Sequence, residues 1–167
     1  YFWYGYKMHG AVDAEHGLFL SVKTTPANVA DNQCFKELVS GSAEMVMKVK
    51  KAIADRGYDD GDLFEWLKHE KIRCAIRMKD SRMKYEGWKK LSEQPWYKAS
   101  LKERYKIERS HAWGKNSHRL QKSRAIGLNK TNLFCWFVAL AVNMKRLLKI
   151  LFSITFNAEL LRKPAFA

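Results

Sequence analysis

Two acidic residues stand among neighbours that suggest chemistry. Asp55 closes the short apolar run Ala52 to Ala54 in "ADRGYDD", and Gly57 follows it. That pattern leaves room at a strand tip for a bound ion or phosphate, and open α/β sheets place their sites at the carboxyl ends of strands. Glu108, in "RYKIERSHAWGK", has Arg104 four residues before it and Lys115 seven after it. On an ideal helix Arg104, Glu108, His111 and Lys115 fall within about 60° of one another, while Ile107 and Trp113 point elsewhere. Metal-dependent phosphoryl transfer is the chemistry such a set could perform. Each half also has a plainer reading: Asp55 as the cap of an Asp-Gly turn, and Arg104–Glu108 as an i,i+4 pair worth a few tenths of a kcal/mol on a solvated face.

The elements that must carry these residues can be read from pattern. "GYKMHGAVDAEHGLFLSVKTT" reads as a β-hairpin turning at "DAEHG", with Gly17 supplying the permissive backbone. "PANVADNQCFKELVSG" reads as a helix capped by Asp31 and stopped by Gly41. A strand over Ala52 to Ala54, a helix through Leu63, Phe64, Trp66 and Leu67, and a strand at "IRCAIR" make a strand–helix–strand unit with one parallel pair. "KDSRMKYEGWKKLSEQPWYK" has no clear period and reads as a loop of about 20 residues. Its Trp88, Trp96 and Tyr97 alternate with lysines, which suits base stacking with phosphate contact and an ordinary packed loop equally. Two helices complete the chain, over roughly residues 100–117 and 128–152, and "LFCWFVALAVNM" is expected to be buried in the second.

The 167 residues suggest a single domain with a real core. The charge is +14 overall and unevenly spread: residues 1–70 hold 8 Lys+Arg against 11 Asp+Glu, and residues 71–167 hold 23 against 6. A change from −3 to +17 along the chain puts the cationic surface in the second half and points to a polyanionic partner. Cys34, Cys74 and Cys135 form no C-x-x-C pair, so neither a zinc site nor a disulfide framework is indicated, and a reducing compartment is the default. His111 and His118 match no common zinc spacing. No signal peptide is read at the start, and the opening on Tyr1 is expected to be a truncation.

Taken in order, "YGYKMHGAVDAEHGLFLSVKTTPANVADN", "ADRGYDD", "RYKIERSHAWGK" and "GLNKTNLFCWFVALAVNMKRLL" resemble the catalytic domain of bacterial insertion-sequence transposases of the DDE type, over about Tyr4 to Leu148. The resemblance implies an α/β, RNase H-like mixed sheet with flanking helices, N-terminally truncated before the first strand. It implies a catalytic domain over residues 1–152 and a C-terminal tail over 153–167. The family's D-[KR]-G-Y motif falls on Asp55, and R-x(3)-E-x(6)-K falls on Arg104, Glu108 and Lys115. Leu101 stands where some members carry a Tyr. Asp55 and Glu108 are then the expected catalytic, metal-binding carboxylates for Mg²⁺ or Mn²⁺, and Arg104 and Lys115 the expected DNA-binding cations. The family's first catalytic Asp is expected upstream of this chain, and Asp13, at the hairpin turn, and Asp31, as a helix cap, are not substitutes for it.

The function this resemblance implies is metal-dependent DNA cleavage and strand transfer during transposition, with transposon ends and target DNA as partners. A homodimer in a synaptic complex, a bacterial cytoplasmic, nucleoid-associated location and no membrane contact go with it. This chain is expected to be a truncated, inactive fragment. A non-enzymatic basic DNA-binding remnant and an RNase H-like nuclease are the alternatives.

Overall fold

A computed structural model of the chain describes residues 5–46, 48–120 and 123–152. Strands β1 (Tyr6–Val12) and β2 (Phe19–Pro26) form the expected antiparallel hairpin. Gly17 sits at φ +74° in its turn, a conformation that glycine adopts without strain. Asp13 closes the same turn, its carboxylate accepting from the Glu15 and His16 N–H groups. Helix α1 (Phe35–Val46) comes after the hairpin. Next are β3 (Lys51–Ala54), α2 (Gly61–His69) and β4 (Arg73–Ile76), with β3 and β4 parallel in the register Ala54↔Ile76. The strand–helix–strand unit is therefore as the periodicity predicts. Helices α3 (Glu86–Glu93), α4 (Pro95–Lys102), α5 (Arg104–Ser117) and α6 (Leu128–Phe152) complete the α/β architecture.

Several expectations are corrected. Among the described residues the strands form two separate two-stranded sheets, not one continuous mixed sheet. Every residue of β1 and β3 lines one cleft, to which β4 contributes nothing and β2 only Leu20 and Thr24. The unpaired edges of the two sheets thus face each other across open space. Asp31 does not cap α1: it begins a 3-10 turn (Asp31–Cys34), and its carboxylate accepts from Lys7 Nζ at 2.8 Å. Gly41 does not stop α1 but lies inside it, where a Cβ would come within 2.8 Å of Ser21 Oγ; its small size lets the helix approach β2.

The segment read as a 20-residue loop is mostly helical. Pro95 at the start of α4 suits the first helical position, where no backbone N–H is needed. Trp88 packs on Phe64 with ring centroids 4.7 Å apart, and the buried Tyr97 donates its hydroxyl to the Ile76 carbonyl. These aromatics are packing groups, not a stacking platform. The helix expected from residue 100 is two helices, α4 ending at Lys102 and α5 beginning at Arg104. The apolar run on α6 is buried on one side only: Cys135, Val138, Ala139 and Val142 face inward, while Leu133, Phe137, Leu140 and Met144 are exposed. The tail expected over 153–167 lies outside the described residues.

The core has two parts. One gathers α1, α2, β3 and β4 around Phe35, Leu63, Phe64, Leu67 and Ile76. The other joins the hairpin to α6 through Phe19, Val22, Cys135, Ala139 and Val142, with Trp113 of α5 against it. Asn143 ties this second part together by accepting from the Phe19 N–H and donating to the Phe19 carbonyl, at 2.7 and 2.8 Å. The three cysteines are free, and no helix among the described residues is long and apolar enough to cross a membrane.

Candidate active site

Asp55 leaves β3 and opens a 3-10 turn (Arg56–Tyr58), its Oδ1 accepting from the Gly57 N–H at 2.9 Å. The turn-cap reading of Asp55 is therefore correct as far as it goes, and it occupies only one carboxylate oxygen. Burial pushes the phenol of Tyr58, in the same turn, up to about 12, with Asp31 and Asp55 adding to the shift. Glu108 is exposed on α5 and pairs with Arg104, Nη2 to Oε1, at 3.0 Å. The ion-pair reading is thus also correct as far as it goes.

What the two plainer readings miss is that the residues line one cleft. Asp55, Arg104, Glu108, His111 and Lys115 all line the cleft between the two sheets, which encloses about 1570 Å³. Arg104, Glu108, His111 and Lys115 therefore share a face, as helical spacing predicts, but Ile107, expected to point elsewhere, lines the same cleft. Gly114 carries α5 past α6: a Cβ there would lie 3.1 Å from Val138 Cγ1, so it is a contact point that sets how α5 sits.

His111 is less exposed than the polar-face reading implies. Its ring meets Phe19 edge-on with centroids 5.2 Å apart. Burial holds its pKa below the ordinary 6.5, the Gly10 backbone pulls the other way, and the charges of Lys115 and His9 push it further down. His9, hydrogen-bonded to Thr25 Oγ1 at 2.8 Å, is also lowered by burial, against the pull of Asp31 and with the push of Lys7. A histidine whose folded pKa is depressed favours the fold while neutral. Its contribution is complete above about pH 6.5 and declines as the pH falls through that value towards the lowered pKa. We expect the melting temperature to fall between pH 7.5 and 5.5, and to fall less in His111→Gln; equal slopes for the two proteins would refute this.

Two arginines escape the sequence reading. Arg56 and Arg77 line a smaller pocket of about 420 Å³ with Asp55, Gly57 and Arg104. Arg56 is a member of the "DRGY" motif, and its position beside Asp55 was a readable signal. Arg77 follows β4 as Asp55 follows β3, and the parallel register brings the two tips together, with the Arg77 N–H donating to the Ala54 carbonyl at 3.1 Å. A third residue, Asp59, latches these tips: its carboxylate accepts from the Lys79 N–H and from Arg82 Nε.

The chemistry of the donor set suits a hard cation, since Asp55 and Glu108 offer carboxylate oxygens and Mg²⁺ is usually held by one or two of these. No group of three His, Cys, Asp or Glu side chains placed to hold a metal ion occurs among the described residues. Comparison with known proteins gives the class. The family model for the transposase DDE domain matches residues 1–144. The chain belongs to that family. No curated protein and no solved structure matches it.

Proposed function

We propose that this protein is an insertion-sequence transposase whose catalytic domain, residues 1–152, cleaves DNA and transfers strands with a divalent ion, Mg²⁺ or Mn²⁺, and that its fold is RNase H-like. The observation that carries the reading is that Asp55 and Glu108, from elements far apart in sequence, line one cleft together with Arg104 and Lys115. Asp55 and Glu108 would hold the ion. When bound, such ions activate the attacking oxygen and stabilise the leaving oxygen of an in-line displacement. Arg104 offers a bidentate fork and Lys115 a point charge, so both neutralise charge on a phosphate seated in the cleft. The Arg104–Glu108 pair keeps the guanidinium beside the carboxylate until DNA competes for it. Residues 153–167 form a tail, two copies act on paired element ends, and the protein works in the bacterial cytoplasm at the nucleoid.

The direct test is incubation of element-end DNA with this chain and with a version extended upstream to the family's first catalytic Asp: the chain alone is expected to bind with little or no cleavage, and the extended version to cleave with Mg²⁺ or Mn²⁺ and stop with chelator. DNA binding without cleavage by the extended version under either metal overturns the enzymatic reading and leaves a non-enzymatic DNA-binding protein. Binding itself should depend strongly on salt and little on sequence, because residues 71–167 carry +17. We expect Lys115→Ala to weaken binding on all sequences alike and to reduce the magnitude of the salt slope by about 1. An isotherm that hardly moves between 50 and 200 mM salt, about the range over which phosphate-driven binding collapses, would contradict this.

A further inference from the structure

We infer that the smaller pocket, at the paired tips of β3 and β4, seats a backbone phosphate of the DNA strand, held by Arg77 with Arg56 and Arg104. This rests on reading Asp55 as part of a DNA-processing site. Three guanidiniums and one carboxylate share the lining of a space of about 420 Å³, within the size range of small-ligand sites. Two of the guanidiniums already face carboxylates: Arg104 pairs with Glu108 at 3.0 Å, and Arg56 with the exposed Asp80 at 3.3 Å. Arg77 has no ion pair among the described residues. Its backbone is fixed by the bond to Ala54, so the residue is anchored beside the pocket while its charge is available.

Beside the ion that Asp55 would hold, the three guanidiniums of this space suit an anion rather than a further metal ion. A phosphodiester fits: it carries one negative charge on two acceptor oxygens, which the planar fork of Arg matches in shape and charge. A Cβ at Gly57 would lie 3.1 Å from Asp55 Oδ1 and narrow the space beside that carboxylate. A strand laid across Asp55 would then have one phosphate at the divalent ion that Asp55 would hold and a neighbouring one in the arginine pocket.

The test is fluorescence anisotropy with a 20-base-pair duplex over a range of salt, comparing wild type, Arg77→Gln and Lys68→Gln. Lys68 lies exposed on α2 outside both cavities, so its loss matches the change in charge without touching the pocket. Arg77→Gln should weaken binding by about five- to tenfold at 100 mM salt and lower the salt slope by about 1, while Lys68→Gln stays close to wild type. Equal behaviour of the two variants overturns the inference. So does an Arg77 side-chain N–H resonance that shifts with inorganic phosphate but not with duplex, which would mark a free-phosphate site. Arg77 is exposed, and an unchanged melting temperature will show that the variant folds. Intact cleavage by the extended version with no Arg77 effect would sink this inference alone; an Arg77 effect without any cleavage by the extended version would sink only the enzymatic reading.

Discussion

In a version extended upstream to the family's first catalytic Asp, Glu108→Gln should abolish divalent-dependent DNA cleavage while leaving the fold intact. The side chain is exposed on α5, and its contact with Arg104 is an i,i+4 pair of a kind that contributes little to stability. Gln keeps the size of the side chain and removes its charge, so a hard cation loses one of the two carboxylates, Asp55 and Glu108, proposed to hold it. Losses in groups that act as a unit are large, and a reduction on the order of 10³-fold or more is expected. Mn²⁺ binding, followed by electron paramagnetic resonance, should weaken in parallel, and Asp55→Asn should behave the same way. Cleavage that survives Glu108→Gln would mean that a different acid does the work.

The largest effect on stability should come from Asp59→Ala. The Asp59 side chain is 1% exposed, and its carboxylate takes both the Lys79 N–H and Arg82 Nε. The Arg82 guanidinium in turn sits 4.8 Å from the Phe64 ring centroid and 5.1 Å from that of Trp88. Removing the carboxylate leaves that cation partly buried without a counter-charge and orphans a backbone donor. Breaking a buried pair from one side costs about 3–5 kcal/mol, which for a chain of this size is a fall in melting temperature of roughly 6–20 °C. Asp59→Asn, which keeps one acceptor, should lose less. A melting temperature for Asp59→Ala within about 2 °C of wild type, small on that scale, would show that the latch is dispensable.

The sequence was most readable where local chemistry decides structure. The hairpin follows from strand alternation around a glycine turn, and the parallel unit from an apolar run, a helical stripe and a second apolar run. The polar face of α5 follows from helical spacing alone. Reading failed where the deciding contact is distant. Gly41 looks like a helix stop, yet what it answers is Ser21 on β2. Asp31 looks like a cap, yet Lys7 takes its carboxylate. The helices α3 and α4 are short, and Trp88 and Tyr97 gain their role from Phe64 and Ile76. For α6 the sequence shows apolar residues on every side, and only the packed hairpin reveals which side is covered. Of the candidate site, Asp55, Glu108, Arg104 and Lys115 were visible through motif spacing. Arg77 was not, because its partnership with Asp55 exists only through the register of β3 on β4.

The division of the core has a bearing on how this molecule ages and fails. Asp55 is anchored to the part built on β3 and β4, whereas α5, which carries Glu108, leans through Trp113 on the part built on the hairpin and α6. A tie between them is the Lys51–Glu103 ion pair at 3.2 Å, of a partly exposed kind that contributes under about 1 kcal/mol. Helix α1 belongs to the first part yet packs on the hairpin at Gly41 and Ser21 and pairs Glu37 with Lys23, so the two parts stay hinged at that end and open first along the cleft. Such opening would separate Asp55 from Glu108 without unfolding a helix, so on gentle heating loss of the proposed cleavage ahead of any loss of helical signal is the expected result.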